Sequence, residues 1–447
     1  MTNQSTEINS NKAIYDRAIQ VITGGVSRNT IYRKPHPFYV AQAKGSYITD
    51  INGTKRLDFA NNMASLIHGH AHPAITEAVV EQIQKGTAYT LGTEAEVAFA
   101  ELLNKRSPNF EKIRFMNSGT EAVMTMIKAA RAFTGKPKIA KAEGAYHGTY
   151  DYAEISQTAN PSNWGDIDKP TPVALVQGTP QGVLEDTVIF PYNDIERTLH
   201  LLDQHADKIA CVLIDVVSHR VGMFPASNEY IEALYNWTRK NNALLIFDEV
   251  ITYRVNYSGA QADYSVKPDL TAIGKLIGGG FPIGAVAGRT EVMNVLNPRE
   301  KVLRHPHSGT FSANPVSMTA GRVAMELFDE QAVLKLNALT KTAIKQIEEA
   351  IKIADVPISI TGAGSMFRLH LQEKAPISYR EISQSKATKD TINNLLDYLF
   401  FEENIIMINT LATMFATTLT QKNVDQLSEA LLRGFKLFKP NIIEQIS

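Results

Sequence analysis

The sequence predicts an α/β fold in which a mostly parallel central sheet is flanked by helices. Three observations predict it. From Arg114 onward, short apolar runs alternate with segments of helical periodicity, the pattern of strands joined by crossover helices. The run from Leu244 to Phe247 is apolar at every position, as a strand covered on both faces must be. The chain has 447 residues, of which 44% are hydrophobic and 20% charged, enough for two or three domains around a sizeable core.

Composition also narrows the function. A formal net charge of −1 points to neither nucleic acid nor an anionic membrane as partner. The single cysteine, Cys211, lies in an apolar run and reads as a small buried hydrophobe in a reducing compartment. Met1 to Asn11 is polar and lacks the apolar core of a signal peptide, and no run is long enough to span a bilayer. The expected location is the cytoplasm.

The elements follow in order. Residues 1–12 are rich in Asn, Ser and Thr and should fray. A helix over Lys12 to Ile22 leads to Gly24-Gly25-Val26-Ser27-Arg28, where the glycines permit a sharp turn. Tyr39 to Phe59 reads as a strand meander broken by the hairpin dipeptide Asn52-Gly53. His68, His70 and His72 precede a helix from Pro73 to Gly86. A His-x-His pair can begin a zinc site, but no downstream ligand pattern completes one, so no metal is expected. Ile113 to Phe115 is a short strand. After it, Ser118-Gly119-Thr120 begin a helix with Val123, Ile127 and Ala130 on one face and Gly135 at its end. Such a helix start suits an anion, although Ser118 or Thr120 also fits an ordinary cap.

Lys138 to Ala142 is the next strand, leading to Tyr146-His147-Gly148. Residues 151–185 read as a long irregular segment. Ile209 to Val217 is a buried strand, and Tyr230, Leu234 and Trp237 mark the helix after it. Ile283 to Gly288 is another strand, and a helix starts near Asn314-Pro315. Beyond Asp329 come an amphipathic helix over Leu336 to Ala354, short strands near Ile358, Met366, Ile405 and Met414, and a last helix from Lys422 to Phe438.

The chemistry concentrates between Leu244 and Gly280. Asp248 and Glu249 end an apolar strand, and Lys275 sits among Ala, Ile, Leu and Gly. Most lysines are solvated; one buried against apolar neighbours has a lowered pKa and a usable nucleophilic amine. An acid at a strand end and a desolvated lysine are the two groups that a pyridoxal phosphate site needs. The lysine forms the Schiff base, and the acid keeps the pyridine nitrogen protonated. Beside them, the helix start at Ser118 reads as the phosphate site.

The wording around these residues resembles the class III aminotransferases. Phe247-Asp248-Glu249-Val250, Gly259-Ala260-Gln261, Pro268-Asp269-Leu270-Thr271, Gly274-Lys275 and Gly278-Gly279-Gly280 carry the resemblance. Within the family it is nearest the branch of glutamate-1-semialdehyde aminomutase and the beta-amino-acid (beta-phenylalanine) aminotransferases. It runs from about Ala18 to Ala430.

The resemblance implies fold type I of the pyridoxal-phosphate-dependent transferases. A large cofactor domain would span residues 61–328, and a small α+β domain would combine 1–60 with 329–447. It implies pyridoxal 5'-phosphate as cofactor, with Lys275 and Asp248 catalytic. Ser118, Gly119, Thr120, Tyr146, His147 and Val250 would contact the cofactor, Tyr146 stacking on the ring. Gly69-His70 and His72-Pro73 match the family's Gly-His-x-His-Pro. Family members place the threonine of a Gly-Thr pair on the neighbouring subunit's phosphate, so Thr310 implies a homodimer.

Two departures bear on substrate. Asp215-Val216 stands where many members have Glu-Pro, and Arg220 stands at a turn where relatives often have a glutamate. That glutamate normally pairs with a C-terminal arginine, and Ile408-Asn409-Thr410 offers none. For a substrate carboxylate, Arg28 is the first candidate, because the beta-amino-acid enzymes carry Ser-Arg at its place. Arg220 is second, and Arg254, after the Asp-Glu-Val strand, is a third. The expected activity is transfer of an amino group between an amino acid, with its amine beyond the alpha carbon, and an oxo acid. An aminomutase or racemase would need nearly the same site, and an idle homologue would not keep Lys275 and Asp248.

Overall fold

The computed structural model describes residues 10–444. Most of the segment expected to fray therefore lies outside the described residues. Helix α1 (Asn11–Ala18) is capped by Ser10, whose Oγ accepts the Ala13 N–H. It stops short of the expected Ile22, and a 3-10 turn over Thr23–Gly25, with Gly24 at φ 66°, redirects the chain. Strands β1 (Val40–Lys44), β2 (Tyr47–Asp50) and β3 (Lys55–Asp58) form the expected meander, with Gly53 at φ 88° in the hairpin turn. Helices α2 (Pro73–Lys85) and α3 (Glu94–Arg106) follow; α3 gave no clear periodic signal in the sequence.

The central sheet is built from β4 (Lys112–Met116), β5 (Lys138–Ala142), β6 (Thr187–Phe190), β7 (Ile209–Ile214), β8 (Leu244–Asp248), β9 (Leu270–Gly274) and β10 (Gly284–Gly288). Its spatial order is β4-β10-β9-β8-β7-β5-β6. Only β10 runs antiparallel to its neighbours. The reason is local: the link from Lys275 to Ile283 is shorter than the dozen or so residues that a parallel crossover needs. Strands β7, β8, β9 and β10 are buried along their whole length. Helix α4 (Gly119–Thr134) packs Val123, Met126, Ile127 and Ala130 into the apolar cluster that holds Leu213, Ile246 and Val286 of the sheet. Burying a side chain of this size contributes roughly 1.5–3 kcal/mol. Helix α5 (Ile195–Asp203) and helix α6 (Asn228–Lys240) join a second cluster, α6 through Tyr230, Leu234 and Trp237.

Helices α7 (Pro315–Leu327) and α8 (Glu330–Ala354) follow β10. Strands β11 (Ser359–Ala363) and β12 (Met366–His370) then form an antiparallel pair. Helix α9 (Lys386–Phe401) leads to β13 (Ile405–Ile406), β14 (Ala412–Met414) and helix α10 (Gln421–Leu437). Strand β13 pairs in parallel with β3, Ile405 opposite Leu57, so one four-stranded sheet draws on both chain ends. Residues 151–185 hold only short pieces: helices Asp151–Glu154 and Gln181–Glu185 and a two-residue hairpin. Cys211 is buried. No helix of the described residues is long and apolar enough to cross a membrane.

Candidate active site

The sheet brings the chemical residues together at one edge. Strands β4, β9, β8, β7 and β5 all end there, and in parallel sheets ligands bind beyond the carboxyl ends of the strands. Asp248 is the last residue of β8 and pairs in register with Ala272 of β9. Gly274 ends β9, so Lys275 emerges on the strand next to the one carrying Asp248. Asp215 follows β7, Tyr146 and His147 follow β5, and Ser118 follows β4. Together they line a cavity of ≈ 340 Å³, within the usual range of small-ligand sites.

Lys275 opens onto this cavity and is otherwise enclosed. Burial lowers its amine pKa to about 8, against the opposing pull of Asp248 and Asp215. Its φ is 49°, a left-handed backbone that a lysine rarely adopts and that costs of order 1–3 kcal/mol where it occurs. Such strain survives where the surroundings dictate the side chain's position.

Asp248 is held at both oxygens. Oδ1 accepts the Val250 N–H at 3.0 Å, and Oδ2 lies 2.8 Å from Nδ1 of His147. Burial holds His147 below the ordinary imidazole pKa despite this acid. A neutral His147 therefore donates from Nδ1 to the carboxylate, and among the described residues its buried Nε2 has no partner. Asp215 accepts the Val217 N–H, and its carboxyl is pushed well above the usual range by burial and then by Asp248. Glu249 plays a different part. It accepts the N–H groups of Ala260 and Gln261 at 2.7 and 3.0 Å, and burial raises it to about 8.

At the other end of the cavity, Ser118 caps α4, its Oγ accepting the Glu121 N–H at 3.1 Å. The helix start approaches the sheet so closely that a Cβ on Gly119 would stand 2.7 Å from Val250. The residues fit pyridoxal phosphate. They offer an anion site at the start of a long helix, the acid Asp248 at the strand edge, an amine whose pKa is lowered to about 8, and the aromatic Tyr146 on the wall.

Of the residues expected from the sequence, Lys275, Asp248, Ser118, Gly119, Thr120, Tyr146, His147 and Val250 line the cavity. Thr310 is exposed and is not part of its wall. Arg28 is one residue removed: Nη1 donates to Oδ1 of Asn62 at 2.8 Å, and Asn62 is on the wall. Arg220 also stands back, its Nη2 donating to the Gln157 carbonyl at 3.3 Å. Arg254 is a correction. It is fully buried in the turn after β8, donates to Ser365 Oγ and the Phe415 carbonyl, and is not on the cavity wall. It ties the end of β8 to the C-terminal part of the chain. The histidine run is also structural in use. His68 bonds to Thr417 and the Ala324 carbonyl, and His70 bonds to Asp58. No metal-binding group of three ligands occurs among the described residues.

Sequence reasoning missed Asn62 and Ser65 on the wall and gave Asp215 no role. Asn61, Asn62, Met63 and Ala64 all have positive φ, so a left-handed turn presents this stretch, and no motif announces it.

Fold and site together define a pyridoxal-phosphate-dependent enzyme of fold type I. The chain belongs to the class-III aminotransferases: the model of that family matches residues 30–431. The chain is 38% identical to a glutamate-1-semialdehyde 2,1-aminomutase of Methanothermobacter thermautotrophicus, covering 83% of this chain and 86% of the relative. Among solved structures, an omega-transaminase from Sphaerobacter thermophilus superposes with a TM-score of 0.93 at 42% identity, covering 97% and 99% of the two chains. A beta-phenylalanine aminotransferase from Variovorax paradoxus gives 0.85 at 27% identity, covering 98% and 96%. The cofactor of this chain is pyridoxal phosphate.

Proposed function

We propose that the enzyme is an aminotransferase that moves an amino group between an amino acid whose amine lies beyond the alpha carbon and an oxo acid. The observation that carries this reading is Arg28 hydrogen-bonded to Asn62 on the cavity wall. A guanidinium beside the wall is the kind of group that would pair with a substrate carboxylate. The omega-transaminase and beta-phenylalanine aminotransferase likenesses support it.

Bound here, pyridoxal phosphate supplies an electron sink. The chain's residues do the rest. Lys275 holds the cofactor and then, as a free amine, carries the substrate proton from one carbon to the other. Asp248, oriented by His147, keeps the ring nitrogen protonated. Gly119 and Thr120 at the start of α4 would hold the phosphate, and Tyr146 would supply an aromatic face for the ring. Thr310 would reach the phosphate bound by a second subunit, which would make a homodimer the working form.

A second reading is an aminomutase, favoured by the names of curated relatives such as the Methanothermobacter enzyme. A half-reaction screen separates the two. Amines are added singly to the holoenzyme, and loss of the cofactor's visible absorption is followed. A transferase is bleached by its donor and restored only when an oxo acid is added. An aminomutase converts one substrate completely with no second one.

A further inference from the structure

Between β12 and α9, Tyr379 and Arg380 reach back to the turn that carries Tyr146, which Glu143 and Gly144 open. Arg380 forks onto Glu143: Nε donates to Oε2 at 2.8 Å and Nη2 to Oε1 at 3.1 Å. The Glu143 side chain is 3% exposed and that of Arg380 16%, so the pair is largely desolvated and held in one geometry, unlike a solvated surface pair. Tyr379 lies against Gly144, whose φ is 76° and where a Cβ would overlap the Tyr379 ring. The Tyr379 hydroxyl donates to the Ala159 carbonyl at 2.8 Å. Arg380 also donates to main chain, from Nη1 to the Gly165 carbonyl at 2.9 Å and from Nη2 to that of Trp164 at 3.2 Å. Its guanidinium stands 4.7 Å from the centre of the Trp164 ring. Ala159, Trp164 and Gly165 belong to the irregular 151–185 segment, which is joined to the same turn by the Gly144 N–H donating to the Ser156 carbonyl at 3.0 Å. Two side chains from far along the chain thus brace both the turn before Tyr146 and the segment beside it.

We propose that Arg380 is a positioning residue for the cofactor: through Glu143 and Gly144 it sets the place of Tyr146 on the cavity wall. An aromatic ring serves a neighbouring ring only at the right distance and tilt. Tyr146 is partly exposed on the wall, so the turn that carries it must supply that placement. Arg380 itself is not on the wall and acts through Glu143. This role rests on Tyr146 facing the cofactor ring, and it is the same in an aminotransferase and an aminomutase.

Binding is read without turnover by titrating pyridoxal phosphate into the full-length apoprotein and following the visible absorption of the bound cofactor. Arg380→Gln should weaken binding by about 10-fold, the scale of one hydrogen bond to a charged group. Arg380→Lys keeps the charge without the fork and should recover part of that loss. Arg380→Gln leaves Glu143 buried and unpaired, which threatens the fold. Combining it with Glu143→Gln leaves neither charge of the pair, and this double variant should fold and show the same loss. Circular dichroism establishes that each variant is folded. Placed on Tyr146→Leu, the Arg380→Gln change should cost less than about 2-fold more, because residues that act as one unit do not add. Wild-type affinity in the folded Arg380 variants, or the full loss repeated on Tyr146→Leu, overturns the proposal and makes Arg380 a structural residue only. A Tyr146→Leu variant that binds cofactor as well as wild type overturns it differently, by removing the Tyr146 role on which it rests, and leaves the aminotransferase reading to the half-reaction screen.

Discussion

His147 Nδ1 lies 2.8 Å from Oδ2 of Asp248, and both side chains are buried. This bond orients the Asp248 carboxyl and keeps His147 in one tautomer. Asp248→Asn should retain the fold and bind cofactor while losing most turnover, because an amide cannot hold the ring nitrogen protonated. His147→Ala should lower turnover by about 10- to 100-fold, the loss of one hydrogen bond to a charged group. Steady-state kinetics on folded variants checks both. Turnover near wild type in Asp248→Asn removes the assigned role.

The lowered pKa of Lys275, about 8, sets a pH dependence for cofactor capture by the apoprotein. Only the neutral amine attacks a carbonyl. The rate should rise about tenfold per pH unit up to 8 and level off above it, about one amine in ten being neutral at pH 7. Stopped-flow reconstitution gives the midpoint, and a midpoint near 10.5, the ordinary value for a lysine, would contradict the buried environment. Borohydride reduction and peptide mapping should place the pyridoxyl label on Lys275. A label on Lys267 would sink the assignment.

Arg28→Ala should weaken carboxylated substrates by about 10- to 100-fold in kcat/KM, the worth of a charged bidentate contact. Simple amines should be nearly unaffected. An equal loss for both kinds of substrate would make Arg28 a structural residue of the turn that presents Asn62.

Ser118→Ala removes the cap of α4. Its stability should fall by about 1 kcal/mol, within the range measured for such caps. Denaturant unfolding of the apoprotein reads this free of any effect through the cofactor. No change would mean that the Ser118 hydroxyl serves the phosphate rather than the helix.

Thr310, exposed here, predicts that activity requires two subunits. Thr310→Ala should weaken cofactor retention by about 10-fold, on the scale of a hydrogen bond to a charged group. Sedimentation at assay concentration should show a dimer, and a fully active monomer would refute the shared site.

The sequence by itself determined the chemistry. Lys275 among apolar residues and Asp248 at the end of an apolar strand are local features, and the surrounding motifs give the family. It also determined helices such as α4 and α7, which carry side-chain caps, and α2, which starts on a proline, because capping, first-turn proline and amphipathicity act within a few residues. It did not reveal β9, whose Leu-Thr-Ala-Ile-Gly is too short and mixed to read as a strand. It did not reveal α9 or the reversal at β10. Tertiary structure alone decided that Asp248 and Lys275 share one cavity, since parallel pairing of β8 with β9 closes a sequence separation of 27 (275 − 248). It also showed that Arg254, adjacent to the site in sequence, is buried and bonded to Ser365 and the Phe415 carbonyl, both far along the chain. Which side chains share a cavity depends on sheet order and register, and those are set by packing between segments that are far apart in the chain.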